Sequence, residues 1–353
     1  MKLRYLGKKG EAAIPYLVRM LDSEVEFPRM VLISSSLAPM TQSCSDECTL
    51  GGEAADTLVC IGKRSDDLLA SLKSENWRSR ANAIRALGGL KDHRAVADLL
   101  GIVQRPTERW EVRGNALLAL GLMAEQSAVT TIIEALKDEH GAVRMAAAAA
   151  LGQLGAPEGL EPLRLALEDP DPRVRLKAAG SLGQLKGERA VEALIGALQQ
   201  DKDRVVREVA AAALRNTRDH RTVRVLITAL KDEYANVQIN AATALGELRA
   251  PEALEPLLNL LGNTNEALRG AAAAALGNLG DPRACTGLIA MVRAEDRWEF
   301  PLERGLEALT KLGHPGAETA LEGYRRHRGD WREWWSRNKD ELLTPAGAEQ
   351  PHR

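Results

Sequence analysis

Aromatic side chains are scarce in this sequence. Two Phe, four Tyr and six Trp make up 3% of its 353 residues. Compact cores draw much of their buried area from large rings, so a core of Ala, Leu and Val in thin layers is expected instead. Long apolar runs are also missing. No stretch approaches the 18 residues that a membrane-spanning helix needs, and the first residues, MKLRYLGKKGEAAIPYLVRML, carry no uninterrupted apolar segment or small-residue cleavage site. A cytoplasmic location is the expectation. Nor is either charge in excess: 47 Lys and Arg face 49 Asp and Glu, a net charge of −2. That balance supplies no global field for nucleic acid or an anionic membrane.

Signatures of catalysis are absent as well. There is no G-x4-G-K-[ST] phosphate loop and no G-x-S-x-G elbow. Of four cysteines, Cys44 and Cys48 form C-x3-C, not the tighter C-x2-C of zinc sites, and no His stands nearby. Cys60 and Cys285 sit on apolar helical patterns and read as core. The six histidines include no pair at i, i+4 spacing. Acidic pairs such as Asp66-Asp67 and Asp232-Glu233 fall at turns or helix starts and read as solvated caps. The expectation is therefore no catalytic residue, no metal, no cofactor and no enzyme activity.

What the sequence has is a period. A leucine followed in most cases by glycine recurs at Leu87, Leu120, Leu151, Leu182, Leu214, Leu245, Leu276 and Leu309, with gaps of 33, 31, 31, 32, 31, 31 and 33 residues. Seven positions earlier stands a column of arginines: Arg80, Arg113, Arg144, Arg175, Arg207 and Arg269, broken by Gln238 and Leu302. Six positions before three of these lie Asp138, Asp169 and Asp201. Three columns in phase define an array. Each unit reads as two helices. In the unit around Arg175, residues 158–169 carry a leucine face, Pro170 and Pro172 force a turn, and Val174, Ala178, Leu182 and Leu185 mark a second helix. Glycine after the column leucine falls near the helix end, where it is expected to serve close packing and termination.

The pattern D-x5-R followed by A-x2-L-G resembles HEAT repeats, and more narrowly the short HEAT-like repeats of phycobilisome lyases. The resemblance covers residues 64–326. It implies an all-α, right-handed α-solenoid of eight to nine two-helix repeats, in which each pair packs only on its neighbours. It also implies that the helix starting with Val-Arg lines the concave surface. The alanines at 146–150 and 271–275 would let adjacent backbones approach. The Asp–Arg columns are expected to pair within or between repeats as a structural ladder of Asp138, Arg144, Asp169, Arg175, Asp201 and Arg207. A related enzyme of this architecture, deoxyhypusine hydroxylase, holds two irons through His-Glu dipeptides after the arginine column. No His-Glu dipeptide occurs here, which excludes that activity.

Outside the array, residues 1–63 read as irregular N-terminal repeats, worn rather than inserted, with a loop containing Cys44 and Cys48. Residues 327–343 place Trp331, Trp334 and Trp335 on one helix face, with Asp330 as N-cap. This is expected to be a capping helix rather than a membrane-surface one, and 344–353 a disordered tail.

If the second helices line a groove, the residues following the arginines face it. The candidate partner-binding set is Asn82, Asn115, Met145, Leu176, Lys177, Ile239 and Asn240, with Gln153, Gln184, Asn216 and Asn278 further along. Carboxamides both donate and accept hydrogen bonds, which suits a polypeptide. Trp77 and Trp110 share one repeat position and are either an aromatic anchor or covers for helix ends. The expected function is a non-catalytic scaffold for a protein or peptide partner. The alternative implied by the resemblance is a lyase-like protein handling a bilin for attachment to a partner. Few groove cations beyond Lys177 make nucleic acid a poor fit.

Overall fold

The computed structural model describes residues 66–343, Asp296 excepted. The irregular N-terminal segment, its cysteines Cys44, Cys48 and Cys60, and the tail 344–353 lie outside the described residues. Contacts divide the chain into two compact units, Met1–Leu185 and Lys186–Arg353. Each unit is all-α among its described residues, an α-solenoid of stacked helix pairs.

The first unit holds α1 (Asp66–Ser71), α2 (Trp77–Leu90), α3 (Val96–Val103), α4 (Trp110–Leu122), α5 (Val129–Ala135), α6 (Gly141–Leu154), α7 (Leu160–Ala166) and α8 (Pro172–Leu185). The second holds α9 (Glu188–Gln200), α10 (Arg204–Thr217), α11 (Val223–Ala229), α12 (Ala235–Glu247), α13 (Leu254–Leu260), α14 (Glu266–Leu279), α15 (Ala284–Ala294), α16 (Glu299–Lys311), α17 (Ala317–Arg326) and α18 (Trp331–Leu342). Odd-numbered helices pack on their even-numbered successors. Even-numbered helices pack side by side, α2 on α4, α4 on α6 and α6 on α8 in one unit, and α10 on α12, α12 on α14 and α14 on α16 in the other.

Small residues set the spacing of that even-numbered layer. At Gly88, Gly121, Gly246 and Gly277 the glycine after the column leucine lies against the alanine that precedes the column leucine of the next repeat. A Cβ on Gly121 would stand 2.9 Å from Ala150 Cα, one on Gly246 2.5 Å from Ala275 Cα, and one on Gly277 2.7 Å from Ala308 Cα. Where the alanine is replaced by Ser181, its hydroxyl donates to the Ala148 carbonyl at 2.8 Å. A buried hydroxyl left without such a partner costs about 1–3 kcal/mol. The alanine run 146–150 is buried except for Ala149, in the layer between α4 and α8.

Termination is a separate device, contrary to the joint role expected of those glycines. Among the described residues, the one four after each column leucine takes a left-handed conformation: Lys91, Ala124, Gly155, Lys186, Arg218, Arg249, Gly280 and Gly313. Five of the eight are not glycine. The column glycine sits inside the last helical turns and serves packing alone.

The second unit ends on α17 and α18. Trp331 and Trp335 are buried, and Trp335 Nε1 donates to the Val292 carbonyl at 3.2 Å. The Trp334 ring fills the space where Gly323 lacks a Cβ and stacks on His327 at 5.5 Å. Asp330 occupies the N-cap position, but its side chain makes no capping hydrogen bond. It faces His327 Nδ1 at 3.5 Å instead. Cys285, expected in the core, is half-buried, and burial pushes its thiol pKa up.

Candidate binding surface

The arginine column is a set of clamps. Arg144 donates from Nη1 to the carbonyls of Asp138 and Glu139, at 2.9 and 3.1 Å, at the end of the turn that precedes its own helix. Its Nε and Nη2 grip both carboxylate oxygens of Asp169 in the next repeat, at 2.6 and 2.9 Å. Arg207 repeats the arrangement with the Asp201 carbonyl at 3.0 Å and Asp232 at 2.8 and 3.1 Å. Arg113 pairs with Asp138, and Arg175 donates to the Asp169 carbonyl at 3.0 Å. Glutamates take the acidic place at the ends, Glu108 for Arg80 at 2.5 Å and Glu295 for Arg269 at 2.7 Å. Gln238 keeps only the carbonyl half, donating to Asp232 O at 2.6 Å.

The acids are equally occupied. Asp138, Asp169, Asp201 and Asp232 each accept the backbone N–H two residues on, at 2.8–2.9 Å. Burial acts to raise the Asp232 carboxyl pKa, but hydrogen bonds from Arg207 and the Tyr234 N–H, with the Arg207 charge, hold it below the usual range. Glu108 behaves alike between burial, Arg80 and the Arg109 N–H. The hydrogen bonds that Arg144 and Arg207 donate to Asp169 and Asp232 raise the pKa values of the two arginines. These charges are spent on the frame, and the buried pairs space one repeat from the next. An acid at i+25 in the next repeat is the partner that the D-x5-R spacing alone did not reveal.

A cavity of about 370 Å³ opens beside this frame in the first unit, lined by Val103, Gln104, Pro106, Arg113, Glu134 and Asp138 among others. Its arginine and Asp138 already hold each other.

The predicted groove residues separate by exposure. Gln153, Gln184 and Asn216 are exposed; Asn115, Leu176, Lys177, Ile239, Asn240 and Asn278 are half-buried. Two are withdrawn from the surface. Asn82 and Met145 are 7% and 8% exposed, because the small residues of neighbouring helices let the layers close over them. Asn278 accepts from Lys311 Nζ at 2.8 Å, so its carboxamide is partly engaged.

Trp77 and Trp110 belong to a second row that spacing alone did not expose. The first residue of one even-numbered helix meets the N-cap residue of the next. Arg109 lies 4.4 Å from the Trp77 ring centroid, and Trp110 stacks on His140 at 4.6 Å, 9° from parallel. Further on, Arg204 sits 5.0 Å from the ring of Tyr234. Both tryptophans are half-buried and join neighbouring repeats. The same row leads to residues overlooked in the sequence, Trp298 and Phe300, which are 39% and 44% exposed. The signal was present: Trp298 stands where Arg109, His140 and Tyr234 stand.

No group of three or more His, Cys, Asp or Glu suited to a metal occurs among the described residues, and none of their helices is long and apolar enough to cross a membrane.

No curated protein matches the sequence. Among solved structures, the Escherichia coli protein YibA is 20% identical over 74% of this chain and 96% of its own, with a TM-score of 0.57. Importin beta is 13% identical over 84% of this chain and 49% of its own, at 0.55. The CpcE–CpcF complex of phycocyanin lyase from Nostoc is 21% identical over 80% and 96%, at 0.34. At these identities the first two likenesses are of fold alone, and the third carries no argument. The HEAT-repeat family model matches residues 65–135, 105–165, 131–215 and 223–300. These spans cover well over half of the sequence, and the chain belongs to the HEAT-repeat family.

Proposed function

We propose that this protein is a non-catalytic scaffold that binds a polypeptide on the face of its even-numbered helices, the side expected to be concave. One observation carries the reading. The column arginines are taken up by the frame, while residues that follow that column on the even-numbered helices present carboxamides and apolar side chains: Asn115, Gln153, Leu176 and Gln184 in the first unit, and Asn216, Ile239 and Asn240 in the second. Carboxamides held on packed helices match the alternating donors and acceptors of a peptide backbone, and fixed helices lower the ordering cost of binding.

The test is affinity capture from the host lysate with mass spectrometry. Wild type is compared with Asn115→Glu/Leu176→Glu and with Ile239→Glu/Asn240→Glu, each confirmed as folded by circular dichroism. A partner retained by wild type and lost from either variant supports the reading. Equal capture by all three moves recognition off this face. Visible absorbance appearing on mixing with a free bilin would replace the scaffold with a pigment-handling role.

A further inference from the structure

We infer that the start of α16 is a docking patch for an acidic peptide segment bearing an apolar anchor. The inference deepens the scaffold reading and rests on it.

Trp298 and Phe300 are large apolar side chains left open at the surface of the second unit. Neither is loose. Glu295, buried and paired with Arg269 at 2.7 Å, accepts the backbone N–H of Trp298 at 3.0 Å and of Arg297 at 3.4 Å. The Phe300 ring occupies the space of the missing Gly270 side chain, where a Cβ would lie 2.3 Å from the ring. One side of that ring therefore rests on the bare backbone of α14, and 44% of the residue remains exposed. Rigid aromatic area of this kind binds at low entropic cost and dominates interface energetics.

Arginines lie close to the rings, interspersed with glutamates that pair with some of them. The guanidinium of Arg297 lies 5.2 Å from the Trp298 ring, and that of Arg304 lies 5.4 Å from Phe300. Arg332, on α18, donates to the Arg297 carbonyl at 2.9 Å, and Arg328 approaches Glu299 at 3.7 Å. Arg297 and Arg332 form no ion pair among the described residues. A guanidinium lying over a ring keeps its N–H edge free for a carboxylate. The complement is a peptide that places an aromatic or aliphatic side chain between Trp298 and Phe300, and Asp or Glu on Arg297 and Arg332. Glu299, Glu303 and Glu307 lie on the same helix, and Glu299 and Glu307 already engage Arg328 and Arg304. These carboxylates repel a continuous polyphosphate backbone or an anionic bilayer more than a short peptide of separated charges.

The experiment pans a phage-displayed library of random peptides on the full chain, and measures enriched peptides by fluorescence anisotropy. The expected result is peptides with an excess of Asp and Glu around one or two apolar residues. Their Kd should rise at least about tenfold on Trp298→Ala and on Arg297→Glu/Arg332→Glu, two variants that leave the buried core untouched. It should return toward wild type when acidic positions of the peptide are changed to Lys against the Glu variant. Enrichment that is absent, that favours basic peptides, or that survives both variants overturns the proposal. So does tighter binding of an oligodeoxythymidine or of phosphatidylserine vesicles that the same variants abolish. Lysate partners that depend on Asn115, Leu176, Ile239 and Asn240 but not on Trp298 would defeat this patch while leaving the scaffold reading intact.

Discussion

Arg144 holds both carboxylate oxygens of Asp169, twenty-five residues further along the chain, and at the same time the carbonyl of Asp138, six residues behind it. One side chain thus closes its own turn and fixes the next repeat. Both partners are largely buried, with 14% and 9% of their side chains exposed. Arg144→Met leaves Asp169 charged without its partner, and a loss of about 3–5 kcal/mol is expected for breaking such a pair. Arg144→Lys recovers little, because an ammonium cannot grip two oxygens and reach the carbonyls together. Urea unfolding followed by circular dichroism measures both; a wild-type midpoint for Arg144→Met would contradict the clamp.

Gly246→Ala is expected to destabilise by about 1–3 kcal/mol through overpacking. The added Cβ meets Ala275 Cα at 2.5 Å, and backbone cannot rotate away. The companion change Ala275→Gly should therefore fail to rescue it. Thermal melts of the single and double variants decide the point.

Arg218 and Arg249 end α10 and α12 in the left-handed region, at φ 52° and 51°. A side chain there costs about 1–2 kcal/mol in local strain, partly offset by the greater freedom of glycine in the unfolded chain. Each change to glycine should raise stability by roughly 0.5–1 kcal/mol. A lowered melting temperature for both would overturn this account of termination.

Asp232 has a folded-state pKa below its unfolded value of about 3.9. In the window below about pH 4 the unfolded chain binds more protons, so stability rises with pH there and is lost as pH falls through the folded value. Its contribution is complete above the unfolded pKa. Acid unfolding of Asp232→Asn should accordingly show a shallower dependence on pH in that window than wild type. Equal slopes would mean the Arg207 pair is not sensed.

Trp335 is buried against α15 and hydrogen-bonded to Val292 O. Trp335→Ala is expected to cost about 3–5 kcal/mol and to increase hydrogen exchange first in α15 and α17, since α18 lies against them. Uniform exchange across the second unit would show instead that the unit unfolds as one.

The repeat period, the two-helix plan and the all-α class were legible in the sequence because a solenoid repeats its contacts. Each Leu, Arg and Ala column meets the same neighbour one repeat on, so the pattern survives as spacing. The burial of Trp331 and Trp335 was legible for a related reason, since rings on one helix face need a surface to cover. Partner choice was not legible. That Arg144 reaches Asp169, that the glycine after the column leucine meets the alanine of the next repeat, and that Lys and Arg end helices in place of glycine all depend on how closely adjacent helices lie. Exposure was decided there too. Asn82 and Met145 share the helical positions of open residues yet are covered, while Phe300, overlooked in the sequence, is half open with its ring against the bare backbone at Gly270. Spacing along a helix determines direction, but the distance to the neighbouring helix, set by side chains of zero or one carbon, determines what remains in contact with solvent.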